Sequence, residues 1–145
     1  MATSFKGEIL SGIHALGTTV IRAGTGADTL KAALYLASAT INAATTAYTA
    51  TGEVSGTGYS AGGVTVTNAT APTTSGTTGY WTPSASLTYT TVTLTTAFDC
   101  VLIYNSTQSN KAISAHTFGS QTVTAGTFTL TMPTSDATNA LIRIA

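Results

Sequence analysis

The sequence predicts an all-β protein, a β-sandwich of jelly-roll-like form with a short N-terminal helix. Three observations carry this. Thr fills 34 of 145 positions, and Lys, Arg, Asp and Glu together fill ten. Thr often alternates with apolar residues, as in Val64-Thr65-Val66-Thr67 and Thr127-Phe128-Thr129-Leu130-Thr131, and a β-branched hydroxyl residue suits one face of a half-buried pleated sheet. Short runs of this kind recur between turns rich in Gly, Pro, Asn and Ser, the pattern of a sandwich or barrel.

Residues 1–17 read as a helical arm and 18–145 as a single β-sandwich domain. In the arm, Phe5, Ile9 and Ile13 fall four apart, Leu10 and Leu16 widen the stripe, and Ser4 is placed to cap. Glu8 complements the helix dipole, Gly7 and Gly12 weaken the helix, and Gly17 is its expected stop. Thr18–Arg22 reads as a short strand and residues 23–28 as a turn. From 29 to 38, Leu30, Ala32, Leu34 and Leu36 alternate with Lys31, Ala33 and Tyr35. Period two favours a strand, while the Ala and Leu content keeps a helix open. Residues 39–63 read as loop, ending in the glycine-rich stretch from Thr51 to Gly63. Further strands are expected at 64–68, 79–82, 87–94, 97–104, 112–118, 121–124, 127–132 and 141–144.

A chain of 145 residues is one ordinary domain and needs no disulfide. The single Cys100, in the apolar run Phe98 to Ile103, reads as a core thiol. Zero formal net charge without a basic cluster argues against nucleic acid as a partner. No run of about 18 apolar residues predicts a membrane-spanning helix, so no membrane partner is expected. Met1 to Lys6 lacks the apolar region of a signal peptide, so synthesis in a reducing cytoplasm is expected. Near-zero charge offers little protection against self-association and suits a protein that works assembled.

Titratable groups are few and scattered. Gly24-Thr25-Gly26 and Gly56-Thr57-Gly58 do not complete a phosphate-binding G-x-G-x-x-G, because Thr29 and Ala61 stand where the third glycine belongs. His14 and His116 are too few for a metal site, and no Gly-x-Ser-x-Gly elbow occurs. Glu8, Asp28, Glu53, Asp99 and Asp136 form no local carboxylate pair. No catalytic residue, metal or cofactor is therefore expected. Tyr80, Trp81 and Tyr89 could stack on sugar rings if exposed, and otherwise serve as core. Asn68-Ala69-Thr70 and Asn105-Ser106-Thr107 match the glycosylation pattern, which is idle without secretion.

The stretches Leu34 to Ser38, Tyr48, Gly52 to Gly63 and Val101 to Asn105, followed by Thr117-Phe118-Gly119, Gly126 to Leu130 and Ala140 to Ala145, resemble a family of small tailed-bacteriophage virion proteins associated with the capsid as cement or decoration proteins. The resemblance spans most of residues 29–145 and is most specific from Gly52 to Gly63. It implies a β-rich, non-enzymatic subunit bound in many copies to the outer capsid surface. The major capsid protein and copies of the chain itself, with a trimer as one option, would be its partners. The alternative is a carbohydrate- or receptor-binding module of a head or tail fibre. Expected partner contacts are the helix stripe Phe5, Ile9, Leu10 and Ile13, and the loop anchors Val54 and Tyr59. The loop from 51 to 63 is expected to order only on contact.

Overall fold

One long hairpin dominates the structure, a computed structural model that describes residues 1–10, 12–17 and 27–145. The elements are α1 (Thr3–Leu10), β1 (Leu30–Leu36), β2 (Val64–Thr65), β3 (Thr73–Ser75), β4 (Thr78–Trp81), β5 (Leu87–Asn105), β6 (Lys111–Leu130) and β7 (Ile142–Ile144). They form an antiparallel four-stranded sheet, β2-β1-β5-β6, and an antiparallel three-stranded sheet, β3-β4-β7. The fold is all-β and sandwich-like with one short helix. The expected Thr18–Arg22 strand lies outside the described residues.

The hairpin folds over on itself. Tyr89 Oη donates to Ala32 O at 2.8 Å, and Ala32 pairs with Ile103. Tyr89 and Ile103 lie on the same strand, fourteen residues apart, which at about 3.3 Å per residue would separate them by roughly 46 Å in a straight strand. Irregular register between Tyr89 and Cys100 provides the bend, and Thr91 and Ala125 adopt φ of 53° and 46°, as bulged residues do. The bend brings Phe98, Phe118 and Phe128 together, with ring centroids 4.9–6.1 Å apart.

Strands expected separately at 87–94 and 97–104 are therefore one bent strand, and those at 112–118, 121–124 and 127–132 are another. Turn-like residues such as Thr95-Thr96 and Gly119-Ser120 continue the ladder, because a bulge absorbs the irregularity without ending the strand. β3 has no counterpart among the expected strands, and the strand expected at 64–68 registers with β1 at Val64–Thr65, with one further bond from Val66 N–H to Leu30 O.

β1 settles as a strand, buried on both faces: Leu30, Ala32 and Leu34 on one, Ala33 and Tyr35 on the other. The second face lies under residues 41–49. There Tyr35 Oη donates to Thr49 O, and Tyr48 stacks on Tyr104 at 4.8 Å. Trp81 and Ile142 of the small sheet join the same hydrophobic cluster.

The helix departs from expectation at both ends. It begins at Thr3, and Ser4 Oγ is buried without a hydrogen-bond partner rather than capping. Gly12, not Gly17, ends it. Gly12 N–H bonds to Ile9 O and Ile13 N–H to Glu8 O, with Gly12 at φ 68°, the paired closure in which glycine tolerates the left-handed turn. Glu8 consequently sits in the last turn, where it cannot complement the N-terminal end of the dipole.

Candidate functional site

The arm docks on its own domain. Phe5 is fully buried in the cluster that includes Ala2 and Leu16, and its ring lies 4.7 Å from that of His14. Ala2 N–H bonds to Ile113 O of β6 and Thr3 N–H to Ala43 O. Phe5 is thus spent inside the subunit, contrary to its expected partner contact. Ile9 and Ile13 are half-buried, and Leu10 is 90% exposed.

A polar cluster fastens the arm. Glu8 Oε2 lies 2.8 Å from His14 Nε2, and Glu8 Oε1 2.8 Å from Lys111 Nζ. His14 Nδ1 lies 3.1 Å from Asn105 Nδ2, which also donates to Asp28 Oδ2 at 2.6 Å. Asn105 Oδ1 accepts from Thr107 N–H and Gln108 N–H, which fixes the amide orientation. Nδ2 must then donate to Nδ1, while a carboxylate can only accept at Nε2, so His14 carries its proton on Nε2. Burial pushes the Glu8 carboxyl up, but the hydrogen bonds from Lys111 and His14 outweigh this and hold it below its usual value.

Glu53 forms the second cluster. Its Oε2 accepts from Tyr48 Oη at 2.7 Å, and its Oε1 from Tyr59 Oη and Gly62 N–H, each at 2.7 Å. Tyr59 Oη also accepts from Leu34 N–H at 3.0 Å, and Tyr104 Oη donates to Gly62 O at 2.8 Å. The hydrogen bond to Glu53, with burial second, pushes Tyr48 up to about 12. Burial first, and then the Glu53 carboxylate, pushes Tyr59 up as well.

The loop from 51 to 63 is therefore ordered by its own subunit, which corrects the expectation that a partner orders it. Leu36 N–H bonds to Gly52 O, Val54 N–H to Leu34 O and Thr93 N–H to Thr57 O. Val54 is buried and Tyr59 half-buried, so these anchors face inward. The glycines permit close approach. A Cβ on Gly63 would lie 1.7 Å from Ala32 O, and one on Gly56 2.0 Å from Thr93 O.

The remaining candidates are also internal. Trp81 is buried and its Nε1–H donates to Thr70 O at 3.0 Å; Tyr89 is buried too. Neither offers a sugar-stacking face. Cys100 is buried, and burial first, then Asp99, pushes its thiol up to about 11. His116 Nε2 is buried without a hydrogen-bond partner, and burial, aided by the N-terminal ammonium, holds its pKa below the usual value. Among the described residues, no group of three or more His, Cys, Asp or Glu could hold a metal ion, and no helix is long and apolar enough to cross a membrane.

Much of what faces outward is apolar or hydroxylic. An open pocket of about 280 Å³ lies between the arm and the small sheet, lined by Ile9, Leu16, Tyr80, Trp81, Ile142 and Ile144 among others. Ile144 is 47% exposed at its rim. Along the distal hairpin, Thr88, Thr90, Thr91, Thr122, Thr124, Thr127 and Thr129 are exposed. The chain matches no protein-family model, no curated protein and no solved structure.

Proposed function

We infer that the chain is a non-enzymatic structural subunit of a phage virion, a cement or decoration protein that binds the major capsid protein on the outer surface of the head. The observation that carries this reading is how the acidic side chains are used. Glu8 and Asp28 fasten the arm, Glu53 fastens the loop, and Asp136 accepts from Thr138 N–H and Asn139 N–H in its own turn. Four of the five acidic groups thus hold segments together, Asp99 being the exception, and the exposed surface is rich in hydroxyls, with apolar points at Leu10 and Ile144 and charges at Lys6 and Arg143. Such a surface suits many copies held by many weak contacts, which reinforce one another once joined. The fibre-module alternative draws its support from Tyr80, Trp81 and Tyr89 as stacking platforms; Trp81 and Tyr89 are buried, which leaves it only the half-buried Tyr80 beside the open pocket.

The test is stoichiometry and protection. Virions purified from a producing host should contain the chain at a copy number matching the capsid lattice, and heads lacking it should open at lower temperature. Low copy number, fractionating with tails, would favour a fibre component. Absence from virions would overturn the reading.

A further inference from the structure

β6 is an edge strand, and its outer edge is covered only at the start. Ala2 N–H bonds to Ile113 O, and Ala112 N–H bonds to Thr46 O. From Ser114 to Leu130, no backbone partner lies on the outer edge among the described residues. Natural edges are commonly blunted by charged side chains or proline. Between Ala112 and Leu130 there is no Lys, Arg, Asp, Glu or Pro.

The exposed part of this edge is self-complementary. Thr122-Val123-Thr124-Ala125-Gly126-Thr127-Phe128-Thr129 reads in both directions as Thr, apolar, Thr, small, small, Thr, apolar, Thr. In a regular strand this palindrome would fail, because antiparallel neighbours must share a face and positions of opposite parity do not. A bulge corrects the parity. Leu94 pairs with Val123 and Val92 with Gly126, so three steps of β6 match two of β5. Thr124 and Ala125 share one position, and Ala125 has φ 46°. Val123, Gly126 and Phe128 then all face inward, opposite the buried Leu94, Val92 and Tyr89. Thr122, Thr127 and Thr129 are exposed.

We propose that this edge pairs antiparallel with the same edge of a second copy of the chain, about a two-fold axis at Gly126. That register sets Thr122 opposite Thr129 of the second copy, Val123 opposite its Phe128, and the Thr124–Ala125 bulge opposite its Thr127. Every pair shares a face. Thr–Thr and aromatic–β-branched pairs are both favourable cross-strand partners, and a self-complementary patch is what a two-fold dimer requires. A foreign strand would complete the same hydrogen bonds, but nothing in its favour would explain the palindrome. Eight residues fall well short of the roughly 20–30 a side of a standard interface, so the dimer depends on concentration. The proposal does not rest on capsid binding, and its failure would leave that reading untouched.

Sedimentation velocity of the full chain over a concentration series tests it. Wild type should shift from monomer to dimer. T127K places two ammonium groups beside the axis and should weaken association about tenfold or more. T124E/T127K should restore it, because the carboxylate introduced at position 124 of each copy then faces the ammonium introduced at position 127 of the other. Circular dichroism reports whether each variant is folded. Should T127K not fold, T122C and T129C decide the register: the mixture should form a disulfide dimer under mild oxidant, and neither variant alone should. A wild type that stays monomeric, a folded T127K that associates like wild type, or a mixture that does not cross-link would each overturn the proposal.

Discussion

Glu53 does more for this fold than its single charge suggests. Three donors converge on its carboxylate, and hydrogen bonds to a charged group contribute about 1.5–3 kcal/mol each at most. E53Q keeps the shape but turns one acceptor into a donor facing donors, so a loss of about 1–3 kcal/mol is expected in urea unfolding. The same carboxylate predicts an alkaline limit. Tyr48 is pushed from its usual 10 up to about 12 by its bond to Glu53. A raised phenol pKa means the fold favours the neutral form, so this contribution is complete below pH 10 and is lost as pH rises from about 10 to about 12. Tyrosinate absorbance should show late titration in wild type and an earlier component in E53Q. Glu8 works in the opposite direction. Its lowered pKa gives stability that is present above its usual 4.5 and lost as pH falls through the folded value. Thermal unfolding should show wild type losing its margin over E8Q below about pH 4.5, with the two curves converging at lower pH. A pH-independent gap would sink this account.

At the scale of elements, the loop from Gly52 to Gly63 is the least forgiving part of the chain. Gly63 combines φ 73° with a Cβ position 1.7 Å from Ala32 O. G63A should cost several kcal/mol, because backbone would have to move against backbone; soluble, stably folded G63A with an unchanged melting temperature would contradict this placement. The free subunit should also protect the amides of Leu36, Val54 and Thr93 strongly in hydrogen exchange, since each bond spans loop and sheet. The glycine density of this loop is legible in the sequence, but its meaning is not. Glycine signals both freedom and close approach, and only the neighbouring Ala32 and Thr93 carbonyls decide between them. The pattern in Leu30–Leu36 favours β1 without deciding it, because burial on both faces blurs period two toward a continuous apolar run. The bent hairpin reads as several strands because bulges look like turns in one dimension. The two clusters around Glu8 and Glu53 are invisible for a different reason: their members are separated by up to 103 positions, and no local spacing announces such a contact.

For the whole molecule, the decisive fact is that arm, loop and both sheets share one hydrophobic cluster. Ala2, Phe5 and Leu16 of the arm, Val54 of the loop, Trp81 and Ile142 of the small sheet, and Leu34, Val101 and Ile103 of the large sheet belong to it together. A single cluster of this kind unfolds as one unit, since no part can leave without opening a cavity against the rest. The arm is therefore a structural member rather than a detachable hook. Deleting residues 1–16 removes the fully buried Phe5 and leaves Lys111 without Glu8, Asn105 without His14 and Asp28 without the Ala15 N–H. Truncating a buried Phe alone costs about 3–5 kcal/mol, a large share of the roughly 5–15 kcal/mol by which a domain is stable. The deletion should lower the midpoint of the whole transition, with fluorescence of Trp81 and far-ultraviolet dichroism moving together. A contrasting substitution separates folding from binding: Leu10 is 90% exposed, so L10S should change stability by no more than about 0.5 kcal/mol. If the outer apolar points hold the subunit to a shell, L10S should nonetheless weaken its retention on heads under dilution. A truncated chain that keeps its midpoint, or one whose two signals separate, would show that the arm and the sheets are independent units and would return the helix to the role of a docking element.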